Sequence, residues 1–93
     1  MGGSNQIKNM AKITMYKTPN CKYCKEAAVW FSDQNIAFTT IDVSVNKEEG
    51  DKMVEISGQM GVPIIVVDNK EVIVGFNKKV LSEILGIKND QIS

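Results

Sequence analysis

The 93-residue chain contains no arginine and no histidine, and it has only two cysteines and two prolines. Without histidine it lacks the usual general base and the commonest metal ligand, and it cannot build a Ser/His or Cys/His nucleophile pair. Without arginine it lacks the planar fork of donors that grips a phosphate or carboxylate at two points. Eleven lysines and eleven acidic residues cancel, leaving no basic field for nucleic acid. The longest apolar run, Val62 to Val67, is broken by Pro63 and is far too short to cross a bilayer, and the first ten residues contain no stretch of secretory-signal length. Two cysteines and no histidine cannot supply the four ligands of a structural zinc site within one chain. These absences point to a soluble cytoplasmic monomer with no nucleic-acid, membrane or metal partner.

What is present fits one domain: 43% hydrophobic residues in a chain of this length suffice for a single core. Residues 1–9 read as a leader, either a tag or a disordered start, residues 10–88 as the domain and residues 89–93 as a tail. Lys12 to Tyr16 alternates apolar and polar residues as a strand does, and Thr18-Pro19-Asn20 ends it with a turn. A helix is expected from near Cys21, with Cys24, Ala28 and Phe31 at i, i+4 and i+7 as its inner face. A second strand follows at Ala37 to Asp42. Asn46 is placed to cap a second helix, with Glu49 three residues on, Met53 and Ile56 facing inward, Gly58 at its end and Gly50 interrupting it. Ile64 to Val67 is a continuous β-branched run suited to a strand covered on both faces. The Asp68-Asn69 turn then leads into Val72 to Val74, making a hairpin. Asn77 can cap a last helix, Lys78 to Leu85, with Val80, Leu81, Ile84 and Leu85 inside and Gly86 as its stop. The element order is βαβαββα, an α/β fold.

Both cysteines lie in Cys21-Lys22-Tyr23-Cys24, a C-x-x-C placed between a strand and a helix, which is the setting of a redox motif. Three residues apart on a helix, the two sulfurs can meet as a disulfide. Cys21 falls at the helix N-terminus, where unsatisfied N–H groups and the dipole favour its thiolate, with Lys17, Lys22 and Lys25 nearby in sequence. Cys24 falls one turn in, on the apolar face, and should be buried. The expected chemistry is attack of an exposed Cys21 thiolate on a disulfide, followed by attack of Cys24 on the Cys21 sulfur.

The sequence resembles the glutaredoxins from about Ala11 to Gly86. It is most similar to the compact bacterial glutaredoxin-like branch through three motifs: Tyr16 to Cys24, Ser57 to Pro63, and Val74-Gly75-Phe76. The resemblance implies a thioredoxin fold with a four-stranded mixed sheet in the order 2-1-3-4. It also implies a disulfide oxidoreductase that binds no cofactor and uses glutathione as co-substrate. In that family pattern Pro63 would be cis, Val62 would offer its backbone to an extended peptide or glutathione, and Tyr23 would pack beside glutathione. Lys17, Thr18, Gly75, Phe76 and Asn77 complete the expected binding residues.

The chain departs from the family pattern at several positions. Lys22 replaces the usual proline between the cysteines, Met60-Gly61 replaces Arg-Thr before Val-Pro, and Asn77 stands where an acidic residue would hold the glutathione amine. The Gly75-Phe76 pair instead resembles redoxins reduced by thioredoxin reductase. Two electron donors are therefore in contention, glutathione and a thioredoxin-reductase-like flavoprotein, with disulfide-containing proteins as substrates. A third reading is a dimer bridged by a [2Fe-2S] cluster through one cysteine per chain.

Overall fold

The computed structural model describes residues 11–86, so the expected leader at 1–9, the tail at 89–93 and the outermost positions of the 10–88 domain lie outside the described residues. Seven elements follow in the order β1 (Ile13–Lys17), α1 (Lys22–Asp33), β2 (Thr39–Asp42), α2 (Lys47–Ser57), β3 (Ile64–Val67), β4 (Glu71–Val74) and α3 (Lys78–Leu85). The four strands form one sheet in the order β2-β1-β3-β4. β1 pairs parallel to β2, with Thr14 opposite Thr39 and Lys17 opposite Asp42. It pairs antiparallel to β3, with Ile13 opposite Val67 and Tyr16 opposite Ile64, and β3 continues antiparallel into β4 through a hairpin.

The period of two along β1 and β3 divides the molecule into two layers. Ile13, Met15, Ile65 and Val67 face the layer of Phe31, Ala27, Leu81 and both cysteines, while Tyr16, Ile64 and Val66 face Met53. All four β3 residues are buried, as the unbroken β-branched run implies for a central strand, whereas β4 buries only Ile73. Each fully buried aliphatic or aromatic side chain here stabilises the fold by about 1.5–3 kcal/mol relative to exposure. The cysteine motif thus rests on the thicker of the two layers.

One boundary and several inner faces differ from the sequence reading. β2 begins at Thr39 instead of Ala37, because Phe38 turns down onto Phe31, ring centroids 5.2 Å apart, instead of extending the ladder. On α1 the wholly buried stripe is Cys24, Ala27 and Phe31, with Ala28 only partly covered at its edge. α2 runs unbroken through Gly50, which packs beside Val43; a Cβ there would lie 3.7 Å from the valine Cβ, an ordinary contact. On the same helix Met53 is buried, but Ile56 is 39% exposed because a single helix does not cover the whole sheet face. In α3 Leu81 is fully buried, Val80, Ile84 and Leu85 pack at the margin, and the small Ser82 takes the other inner position.

Candidate active site

β1 ends in a turn in which the Thr18 carbonyl accepts the Cys21 N–H at 3.3 Å, and this turn delivers Cys21 to the cap position of α1. Its backbone is extended, and its Sγ accepts the Cys24 N–H at 3.1 Å. A sulfur therefore occupies the place usually taken by an Asn, Asp, Ser or Thr oxygen. The two cysteines form a disulfide with Cα atoms 5.2 Å apart. The first turn of α1 holds no acidic residue and carries Lys22, with Lys25 directly after it. Helix dipole, the N–H donor and these ammonium groups all favour negative charge on the Cys21 sulfur once the disulfide opens.

Cys21 is not the exposed residue expected from the sequence. It is 9% accessible, against 2% for Cys24. The reason is local: the Cys21 sulfur folds back over the helix end to reach the Cys24 N–H and the Cys24 sulfur, so only one side meets solvent. The order of accessibility is the expected one, and both sulfurs sit in the same core cluster as Ala27 and Phe31.

The Val62-Pro63 peptide is cis, as the resemblance implied, and Pro63 is buried at the entrance to β3. The Gly75 N–H donates to the Pro63 carbonyl at 2.9 Å, so the loop after β4 is tied to the cis-proline loop. Gly75 has φ of 85°, which only glycine adopts without strain. Val62 is half-buried against both core clusters, and its N–H and C=O make no hydrogen bond to the described residues.

The remaining expected binding residues do not share one groove. Tyr23, 59% exposed, and Phe76 line a groove of about 570 Å³ together with Val29 and Trp30. Trp30 meets Phe76 edge-on at 5.9 Å. Lys17 and Thr18 lie beyond the buried stripe of α1, lining a different groove with Cys24 between α1 and β2. The Asn77 side chain accepts the Val80 N–H at 3.2 Å and so serves as the α3 cap. Val29 and Trp30 were missed in the sequence. An apolar Val29 and Trp30 set among Glu26 and Asp33 on the outer part of α1 were the available signal, since neither belongs to the buried stripe. Among the described residues, no group of three or more His, Cys, Asp or Glu is arranged to hold a metal ion.

Beyond the lysines, one carboxylate shapes the strand ends. Asp42 is held below its ordinary value of 3.8, first by the Ser44 hydroxyl, then by the Ser44 N–H; these outweigh a smaller opposing effect of desolvation, and the Lys17 charge adds least. These bonds measure 2.6 and 2.9 Å.

A family model described as Glutaredoxin matches residues 13–72. The chain belongs to the glutaredoxin family. It is a thiol-disulfide oxidoreductase of the thioredoxin fold, with Cys21 and Cys24 as its disulfide-forming pair. It is 36% identical over 73 residues to an uncharacterised glutaredoxin-like 8.6 kDa protein of the rubredoxin operon of Clostridium pasteurianum, an alignment covering 78% of this chain and 96% of that one. It is 33% identical over 57 residues to the glutaredoxin-like protein NrdH of Lactococcus lactis, covering 61% of this chain and 78% of the relative. Among solved structures it is similar to the glutaredoxin of Archaeoglobus fulgidus at 26% identity and a TM-score of 0.69, covering 84% and 89% of the two chains.

Proposed function

We propose that this glutaredoxin reduces protein disulfides by a dithiol route, with Cys21 as nucleophile and Cys24 as resolving thiol. The observation that carries the assignment is the cap of α1, where Cys21 Sγ accepts the Cys24 N–H at 3.1 Å. The Cys21 thiolate attacks one sulfur of the substrate disulfide. That bond breaks, a mixed disulfide forms on Cys21 and the first substrate sulfur leaves as a thiolate. Cys24, deprotonated, then attacks Cys21 Sγ, the mixed disulfide breaks and the second substrate thiolate departs. The substrate gains two electrons, and the protein is left as the Cys21–Cys24 disulfide. Cys21→Ser should reduce turnover in an insulin or mixed-disulfide reduction assay to background, and retained turnover would overturn the assignment. With Cys24→Ser, survival only on glutathione mixed disulfides would show that resolution is needed for protein disulfides alone.

A specific pair of observations favours a thioredoxin-reductase-like flavoprotein over glutathione as electron donor. The Asn77 side-chain oxygen is engaged by the Val80 N–H, and Lys17 and Thr18 lie across α1 from Tyr23 and Phe76. Residues that would grip the two ends of glutathione are therefore neutral at one end and displaced at the other. The cytoplasm, where such reductants operate, is the proposed location. Reduction of the oxidised protein should be at least about tenfold faster with thioredoxin reductase and NADPH than with millimolar glutathione, a difference of about 1.4 kcal/mol in barrier. Equal or faster reduction by glutathione would reverse the choice of donor.

A further inference from the structure

We propose that the groove between α1 and β2 binds a small organic anion with an apolar body, seated against Cys24. The groove encloses about 360 Å³, within the range of about 300–1,000 Å³ common to small-ligand sites. Met15, Ala28 and Phe38 supply apolar lining, Cys24 contributes to the wall, and among the described residues Lys17 and Lys25 are the only charged ones lining it. The larger groove on the other side of the α1 stripe offers no such field, because there Lys25 and Lys78 are matched by Glu26 and Asp33.

The carboxylate best placed to neutralise Lys17 is Asp42, its register partner on β2. Asp42 does not line the groove, its Oδ1 accepts from the Ser44 hydroxyl and N–H, and it makes no direct ion pair with Lys17, whose charge is only the least of the influences on it. Two lysines thus line an apolar cleft that has no lining carboxylate among the described residues, although Lys25 borders the larger groove as well. A carboxylate or sulfonate would pair with the lysines while its hydrocarbon part covered Met15, Ala28 and Phe38. Binding itself needs nothing from the proposed thiol roles. Only the consequence, that an occupant shields Cys24 during resolution, rests on them.

The probe is 8-anilinonaphthalene-1-sulfonate, titrated into the oxidised protein and followed by fluorescence and by amide shifts. Saturable one-to-one binding is expected, with shifts concentrated at Met15, Lys17, Thr18, Ala28 and Phe38. The double change Lys17→Gln and Lys25→Gln should weaken it about tenfold, the sum of two partly exposed ion pairs. Ala28→Phe should fill the groove and abolish binding, whereas Val29→Ser, on the other groove, should leave it unchanged. In Cys21→Ser, saturating probe should slow iodoacetamide alkylation of Cys24 at least fivefold. Absence of binding, indifference to the lysine changes, or shifts centred on Tyr23, Trp30 and Phe76 would overturn the proposal. Displacement of the probe by oxidised glutathione would overturn it as well, by making the groove part of the disulfide-substrate site. Because the titration reads no turnover, its failure is distinct from failure of the proposed function.

Discussion

The first turns of α1 and α2 have the same local plan and opposite electrostatics. Each helix follows an extended residue whose side chain accepts the N–H three positions on: Cys21 Sγ from Cys24 at 3.1 Å, and Asn46 Oδ1 from Glu49 at 3.2 Å. At α2 the positive end of the dipole is answered by Glu48 and Glu49, as a helix built for stability would have it. At α1 no acidic residue answers it, Lys22 adds to it, and the capping side chain is a sulfur. The N-terminus of α1 thus leaves an uncompensated positive field beside the Cys21 sulfur; α3, which starts with Lys78 and Lys79 and no acidic residue, leaves a similar field but holds no thiol. α2, by contrast, is further secured by the Lys47–Asp51 pair at 3.2 Å on its exposed face, a contribution of at most a few tenths of a kcal/mol.

The largest effect that separates the two caps should come from Cys21→Ser. Serine is a good cap, so the reduced variant should match the reduced wild type in chemical denaturation to within about 1 kcal/mol while turnover falls to background. A large loss of stability would mean that the sulfur holds the helix in a way an oxygen cannot. Asn46→Ala should do the reverse: it should cost about 1 kcal/mol and leave the rate of disulfide reduction unchanged. Lys22→Glu tests the field itself. It should stabilise the protein by about 0.3–1 kcal/mol through the dipole and slow thiol alkylation near neutral pH, two changes of opposite benefit from one charge. If it slowed nothing, the first-turn charges would be irrelevant to the chemistry.

The smallest effect concerns Asp42, at the strand end beside Lys17. Its carboxyl is depressed in the folded state, so its contribution to stability is present above the unfolded carboxylate range and is lost as pH falls through the folded value. Ser44→Ala, which removes the largest cause of the depression, should flatten the loss of stability measured as pH falls below the ordinary carboxylate value of 3.8. An unchanged acid limb would show that the Ser44 hydroxyl does not hold Asp42.

Much of this was legible in the chain because several independent signals agreed. The caps Asn46 and Asn77, the stops Gly58 and Gly86, both with positive φ, and the buried run Ile64 to Val67 each follow from local chemistry that tertiary structure had no reason to override. The strand order and the cis Val62-Pro63 bond came from the family resemblance, since no local rule dictates either. The site was harder to read. Periodicity identifies an apolar face of α1 but cannot say that Lys17 and Tyr23 lie on opposite sides of it, which depends on how the helix is rotated over the sheet. Nor could it show that Cys21 is largely covered, because that follows from its sulfur bending back to cap its own helix.

The proposed roles of Cys21 and Cys24 depend on the two sulfurs ionising unequally, and the most direct measurement of this is the pH dependence of iodoacetamide alkylation on two single-thiol proteins. Cys24→Ser reports Cys21 at the cap, and Cys21→Ser reports Cys24 one turn inside. The predicted result is that Cys21 reaches its half-maximal rate at a clearly lower pH than Cys24. Coincident profiles, or Cys24 reacting at the lower pH, would contradict the assignment of nucleophile and resolving thiol.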